Sequence, residues 1–347
     1  MRAVVMTGKK SVEVVEVPDP ELTGPDGCIV QVEATAICGS DLHLFHGDLP
    51  CEGVHPGHEV VGTIVEVGPD VRNRSIGDRV LVSAVVACGL CQACRRGDPI
   101  SCPTTGPIAL GTTLSLNGGQ SEFLAVPAAD LFTIPVPEGV STENAVLLTD
   151  IMPTGFLGAQ MGNIRPGESV AVFGMGPVGV MALACATLYG PSQLFAIDVV
   201  PERLSRAEAM GAIPINASDG LAAFALLEAT GGRGVDVAIE AVGAQQTILD
   251  AMSSVAPRGR VSMVGVNINM AFPFPMGLTF MKALSFRAAF AAIPSTWDAL
   301  VPLVREGILD LGEVFTHRMG LSEAAEAYDL FDRREDGVLK ILLDPTR

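Results

Sequence analysis

Basic residues are scarce in this chain. Its 22 lysines and arginines face 39 aspartates and glutamates, a formal charge of -17. Nucleic-acid binding relies on a basic face that neutralises phosphates, so no nucleic-acid partner is expected. The balance leaves room for an anionic cofactor, because a local site can oppose the field of the whole molecule. No uninterrupted apolar run approaches the roughly 18 residues that span a bilayer, so no membrane partner is expected either. The first ten residues are a short apolar run followed by charge, without the apolar stretch and cleavage site of a signal peptide. Internal repeats and low-complexity tracts are also missing. These absences point to a globular, cytoplasmic protein whose thiols stay reduced.

What the chain has is length and turn-formers. At 347 residues, 48% of them hydrophobic, two domains with sizeable cores are expected. Residues 1–150 read as short strands (29–36, 59–67, 79–86, 121–126) bounded by Gly, Pro and Asp. From 151 to 290 strands alternate with helical runs: strand 169–173, helix 178–188, strand 193–198, helix 201–210, then strands 235–240 and 260–266. That alternation implies a doubly wound parallel sheet with helices on both faces, hence an α/β fold. Residues 291–347, with helical 296–306 and 322–331 and strand 338–343, are expected to return to the first domain.

Four of the eight cysteines, Cys88, Cys91, Cys94 and Cys102, lie in one short lobe, the first three spaced Cys-x2-Cys-x2-Cys. This spacing lets a turn aim neighbouring sulfurs at one ion, and a fourth thiolate closes a tetrahedron at about 2.3 Å per bond. Four thiolates leave no open position, so the lobe is expected to hold a structural zinc and to do no chemistry.

Gly174-Met175-Gly176-Pro177-Val178-Gly179 follows an expected strand and opens an expected helix. Asp198 ends the next strand, where an acid can accept hydrogen bonds from the adenosine ribose. The helix N-terminus would face the cofactor phosphates. A carboxylate at Asp198 repels a 2′-phosphate, and Val199 and Val200 supply no basic group, so NAD is expected over NADP. Arg203 is the one nearby cation.

Cys38 and His58 are a soft and a borderline metal ligand, and a catalytic zinc needs three protein ligands with one position open. Alone, the pair leaves a third ligand to find. The ordered motifs resemble the zinc-dependent alcohol dehydrogenases of the medium-chain dehydrogenase/reductase family. They are Gly57-His58-Glu59 with Gly62 and Gly68, then Gly77-Asp78, the cysteine lobe and the glycine fingerprint. The resemblance covers essentially the whole chain. It implies a GroES-like β-rich catalytic domain over 1–150, a Rossmann NAD-binding domain over 151–290, and two zinc ions per subunit.

Carried over by position, Cys38 and His58 match two catalytic zinc ligands. Asp150 stands where a cysteine is the usual third, and a helix N-cap is the bland reading of the same aspartate. Glu59 matches a residue that approaches the metal, and Asp41 a partner that orients the ligand histidine. Ser40 and His43 match a proton path from the substrate oxygen to solvent. Thr154, Val178 and Val266 match residues lining the cofactor, and Lys340 a cation near its pyrophosphate.

Ala84, four residues before Cys88, stands where relatives that prefer primary alcohols carry an aromatic. It points to secondary or cyclic alcohols and their ketones as substrates, with Leu110, Leu116 and Phe290 as candidate pocket walls. A polyol or amino-alcohol dehydrogenase is the nearest rival, resting on His46, Asp48 and His55. An NAD-binding redox or zinc sensor without turnover is the rival from another class. Residues 261–286 carry a single ionisable group, Lys282, and the matching region in the family joins subunits, so a homo-oligomer, dimer or tetramer, is expected.

Overall fold

Valine-rich runs with alternating burial pair into one seven-stranded sheet in the first part of the molecule. Strand Cys28–Ala36 sits at its centre, flanked by Val60–Val67 and Phe123–Val126, both antiparallel to it. Arg79–Val82 and Thr133–Pro135 extend the sheet beyond Val60–Val67. On its other side Lys340–Asp344 pairs antiparallel with Cys28–Ala36, and Phe315–Gly320 pairs parallel with Lys340–Asp344. This computed structural model describes residues 1–219 and 222–347. The chain forms two units, Met1–Pro153 with Ala291–Arg347, and Thr154–Phe290.

Among the described residues, apolar clusters help hold the first unit. One joins Val30, Val60, Ile64, Val80, Leu110 and Phe132 to Cys94 and Cys102, rooting the cysteine lobe in the sheet. Another packs helix Ala324–Arg333, through Tyr328 and Phe331, against Val4, Met6, Phe45 and Ile341. Leu110 is wholly buried in the first cluster and Leu116 packs on it, so both are core rather than pocket walls. Phe290 is 61% exposed.

The expected single strand over 79–86 is broken into Arg79–Val82 and Val85–Val86. The break has a purpose: at Ala84 the backbone N–H leaves the sheet and donates to the Thr149 carbonyl (3.0 Å), beside Asp150.

In the second unit six strands are parallel, in the order Ile213–Asn216, Gln193–Asp198, Ser169–Phe173, Val235–Glu240, Val255–Met263, Ser285–Ala288. Numbered along the chain this is 3-2-1-4-5-6, the doubly wound Rossmann order. The fifth strand runs Val255–Met263, not 260–266. It ends early because the N–H groups of Val264 and Gly265 both turn to the Glu240 carbonyl (2.8 and 3.0 Å). Among the described residues no helix is long and apolar enough to cross a membrane.

Candidate metal centres and dinucleotide site

The sulfurs of Cys88, Cys91, Cys94 and Cys102 lie within 4.8 Å of one another, and all eight cysteines are free thiols. Cys91 is 3.4 Å from Cys94 and 3.9 Å from Cys102, and Cys88 is 3.9 Å from Cys94. Four thiolates at about 2.3 Å from a zinc sit about 3.8 Å apart on a tetrahedron, so the donor set fits that ion. A hydrogen bond from the Thr105 backbone holds the Cys102 thiol down at about 5, while burial pushes Cys94 up to about 12.

A second set, Cys38, His58, Glu59 and Asp150, also brings its donor atoms within 4.8 Å. Cys38 sits just past strand Cys28–Ala36, and His58 and Glu59 just before Val60–Val67. Asp150 immediately precedes helix Ile151–Gly162. Its turn is pinned twice, by Ala84 N–H on the Thr149 carbonyl and by Trp297 Nε1–H on the Leu148 carbonyl (2.9 Å). Gly57, with φ +104, sets the entry to His58. A side chain there would strike the Gln120 backbone nitrogen at 2.6 Å, so only glycine lets this loop close.

Asp150 Oδ2 lies 3.7 Å from Cys38 Sγ and 3.4 Å from His58 Nε2. On the ring's far side His58 Nδ1 faces Asp41 Oδ1 at 3.4 Å, longer than a well-formed hydrogen bond, and neither atom has another partner. Glu59 Oε2 is buried with no partner at all, while its Oε1 accepts from Lys340 Nζ at 2.7 Å. A soft thiol, an imidazole and a carboxylate around an unpartnered buried oxygen is the arrangement a zinc completes.

The electrostatics agree. Burial pushes the Cys38 thiol and the Glu59 carboxyl up. Burial opposes the charged form of His58, but Asp41, Cys38 and Asp150 outweigh it and hold His58 well above its ordinary value. Burial would raise Asp150, yet His58 and Lys340 hold it low.

Lys340 is no solvated tail residue. It is fully buried inside the first unit, bonded to the Glu59 carboxylate and to the Ile37 carbonyl (3.2 Å). The strand pairing of Lys340–Asp344 with Cys28–Ala36 puts it there, and a run of tail residues gives no sign of that neighbour.

Ser40 Oγ lies 3.3 Å from His58 Nε2, beside the donor set. His43, in the short helix Asp41–Phe45, meets Asp48 Oδ2 at 3.3 Å near the surface. His46 bonds Asp332 at 2.6 Å, so it and Asp48 are both engaged away from the cluster. Two residues without any local sequence signal complete the surroundings: Gln120, which donates to Asp41 Oδ2 (3.3 Å), and Tyr328, which donates to Gln120 (2.9 Å).

In the second unit Gly174-Gly179 joins Ser169–Phe173 to helix Pro177–Thr187. A side chain at Gly179 would lie 1.7 Å from the Gly174 carbonyl, so the helix can sit this close only with glycine. At Gly176 the added atom would meet only Arg203 Nη1, at 3.7 Å, which leaves the backbone open to a pyrophosphate. Asp198 accepts from the N–H groups of Met175 (2.6 Å), Val199 and Val200, tying the turn to its strand. A carboxylate has about four lone-pair sites, so with three N–H groups bound one site, on Oδ2, remains for a ribose hydroxyl. Pro177 and Val178 form the first turn of the helix, Val266 follows the fifth strand, and Thr154 opens the unit.

Residues 24–137 match the alcohol dehydrogenase GroES-like domain family, and residues 177–306 the zinc-binding dehydrogenase family. Over 346 residues the chain is 45% identical to the probable zinc-binding alcohol dehydrogenase of Mycobacterium tuberculosis, covering 99% of this chain and 89% of that one. The solved alcohol dehydrogenase TADH from Thermus sp. ATN1 is 40% identical with a TM-score of 0.92, over 99% of both chains. A zinc-binding dehydrogenase from Sinorhizobium meliloti, solved bound to NADP, is 26% identical with a TM-score of 0.85, again over 99% of both. Likeness of this length and identity leaves one conclusion: the chain belongs to the zinc-dependent alcohol dehydrogenases of the medium-chain dehydrogenase/reductase family, oxidoreductases acting on small-molecule alcohols.

Proposed function

We propose that this enzyme interconverts secondary or cyclic alcohols and their ketones with NAD as hydride carrier. The observation that carries the reading is the donor set of Cys38, His58 and Asp150 beside the unpartnered Glu59 oxygen. These three residues would hold a zinc, with Glu59 adjacent, while Cys88, Cys91, Cys94 and Cys102 would hold a second, structural one. A zinc in the first position supplies Lewis-acid polarisation of an alcohol oxygen and lowers its pKa.

The chain's own residues do the rest. Ser40 Oγ, 3.3 Å from His58 Nε2, would accept the substrate hydroxyl proton as it gives up its own toward His43, which would release it to water beside Asp48. Asp41 faces His58 Nδ1, which favours the tautomer that leaves Nε2 free as a ligand. Gly174, Gly176, Pro177, Val178 and Gly179 would cradle the pyrophosphate, Asp198 would bind the adenosine ribose, and Thr154 and Val266 would line the cofactor. Asp198 favours NAD over NADP by charge. Arg203, whose Nη1 would lie 3.7 Å from a side chain at Gly176, pulls the other way.

The substrate class rests on Ala84, buried and bonded through its backbone to the residue before Asp150. A small side chain there leaves space for two substituents on the carbinol carbon. Met270, Phe280 and Met281, which precede the edge strand Ser285–Ala288 along the chain, stand 100%, 83% and 81% exposed, which supports a homo-oligomer. Eight free thiols suit a reducing, cytoplasmic compartment.

The test is reduction of NAD and of NADP by zinc-replete protein over primary, secondary, cyclic and polyhydroxy alcohols. Secondary or cyclic alcohols with NAD are expected to be fastest. Faster primary or polyhydroxy alcohols would overturn the role of Ala84, and faster NADP the role of Asp198. No turnover with any alcohol, or with ketones and NADH, would overturn the reading of the Cys38 cluster.

A further inference from the structure

Asp41 links two of the cluster's residues. Its Oδ2 accepts from the backbone N–H of Cys38 (2.9 Å) and its Oδ1 faces His58 Nδ1. What holds this carboxylate in place comes from elsewhere in the fold. Gln120 Nε2 donates to Asp41 Oδ2 and to the Ala36 carbonyl (3.3 and 3.2 Å), and Gln120 Oε1 accepts from the Tyr328 hydroxyl. Asp41, Gln120 and Tyr328 are all buried, with at most 1% exposure, so water replaces none of these bonds.

The chain of bonds has one consistent orientation. Reversing the Gln120 amide would aim its oxygen at two acceptors, Asp41 and the Ala36 carbonyl, and leave its NH2 to the Tyr328 oxygen. The Asp41 carboxylate and the Ala36 carbonyl therefore set which way the amide faces, the Tyr328 hydroxyl holds its other end by donating to Oε1, and the amide holds the carboxylate. Gln120 also carries the backbone leading into His58, because the space a side chain on Gly57 would need is taken by Gln120 Cγ, 2.6 Å away. One side chain thus bears on both halves of the Asp41–His58 pair.

We propose, on the reading that Cys38, His58 and Asp150 hold zinc, that Gln120 and Tyr328 are positioning residues for the ligand His58, acting through Asp41. Helix Ala324–Arg333, almost 300 residues along the chain from Cys38, is thereby part of the metal site's support. Partners of this kind are worth about 10–100-fold in metal affinity when they touch the ligand directly, and one step further out the low end applies.

The experiment uses the full-length enzyme as Tyr328→Phe, Gln120→Met and the double variant. It reads the rate at which each of the two zincs leaves to a chelator, the d–d absorption of the cobalt-substituted site, and the thermal unfolding midpoint. Each single variant is expected to release the Cys38-site zinc about tenfold faster, with an altered cobalt spectrum and an unchanged lobe zinc. Tyr328→Phe leaves Gln120 Oε1 without its donor, and Gln120→Met leaves the Tyr328 hydroxyl without its acceptor and takes the Nε2 donor from Asp41 and Ala36, so each lowers the midpoint, and the double variant recovers only the part due to the Tyr328–Gln120 bond. Fast zinc release should persist in the double variant, because Asp41 still lacks its donor. Release rates and spectra equal to wild type, or zinc retention recovering along with stability in the double variant, would overturn the proposal. A wild-type enzyme that binds only the lobe zinc would instead overturn the site reading beneath it.

Discussion

The two cysteine-bearing clusters are built in opposite ways. The lobe takes four like donors from residues 88–102, and its geometry is mostly local: Cys91 caps the turn Gln92–Arg95 by accepting from Cys94 N–H at 3.4 Å. The Cys38 cluster takes unlike donors from three segments, and Cys38 and Asp150 are 112 positions apart. It is wrapped in buried charge: Asp41 behind His58, and Lys340 on Glu59. A closed set of four thiolates suits a structural ion, and a mixed set with charged neighbours suits one whose surroundings must change during a reaction. The contrast shows why a structural ion can be encoded in a short segment, whereas a reactive one needs a fold around it.

The sharpest way to break this comparison is to exchange the consequences of losing one thiol. Cys38→Ala is expected to lower activity at least about a thousandfold, as removal of several kcal/mol of metal assistance implies, with little change in unfolding midpoint. Cys94→Ser is expected to do the reverse, costing lobe zinc and stability while the remaining folded protein still turns over. Zinc content, activity and unfolding midpoint on both variants decide it. Equal effects would mean that the division of roles is wrong.

Buried charge is the next difference to test. Lys340→Met leaves Glu59 ionisable and alone in the interior, which should destabilise the first unit by about 3–5 kcal/mol. The double variant with Glu59→Gln should recover most of that, read as the shift in denaturant midpoint. A neutral Lys340→Met would show that the pair is solvated and the cluster open to water.

The smallest effect is proton-linked. The folded values of Cys38 and His58 are both raised, so the thiol and the imidazolium hold protons at neutral pH, and zinc must displace both. Affinity at this site should therefore fall as pH falls, by about tenfold per displaced proton for each pH unit. The lobe has already lost one proton at neutral pH, because Cys102 is held at about 5. Calorimetric zinc titration in buffers of different ionisation enthalpy counts the protons. Release of none at the Cys38 site would contradict a protonated Cys38 and His58.

The second unit was the more legible of the two. Strands Ser169–Phe173, Gln193–Asp198 and Val235–Glu240 fall where the sequence pattern puts them. Strands covered on both faces read as apolar runs, and Gly, Pro or Asp bound them. The fifth strand misled because Val264 and Val266 continue the apolar run past the turn that ends the strand. In the first unit the break at Ala84 was invisible, since a valine-rich run does not say that one amide will bond Thr149 instead of a neighbouring strand. The placing of Asp150 came from family resemblance, not from any property of its local sequence.

By itself, then, the sequence determined the cysteine lobe, the glycine fingerprint and the parallel sheet. Each is a short-range pattern in which spacing alone sets which atoms can meet. Only the tertiary structure decided that Cys38, His58, Glu59 and Asp150 converge, that Lys340 lies on Glu59, that Leu110 is core, and that Gln120 and Tyr328 stand behind Asp41. Periodicity reports which side of an element is buried. It does not report what that side is buried against, and for a buried polar group the partner is what fixes its role.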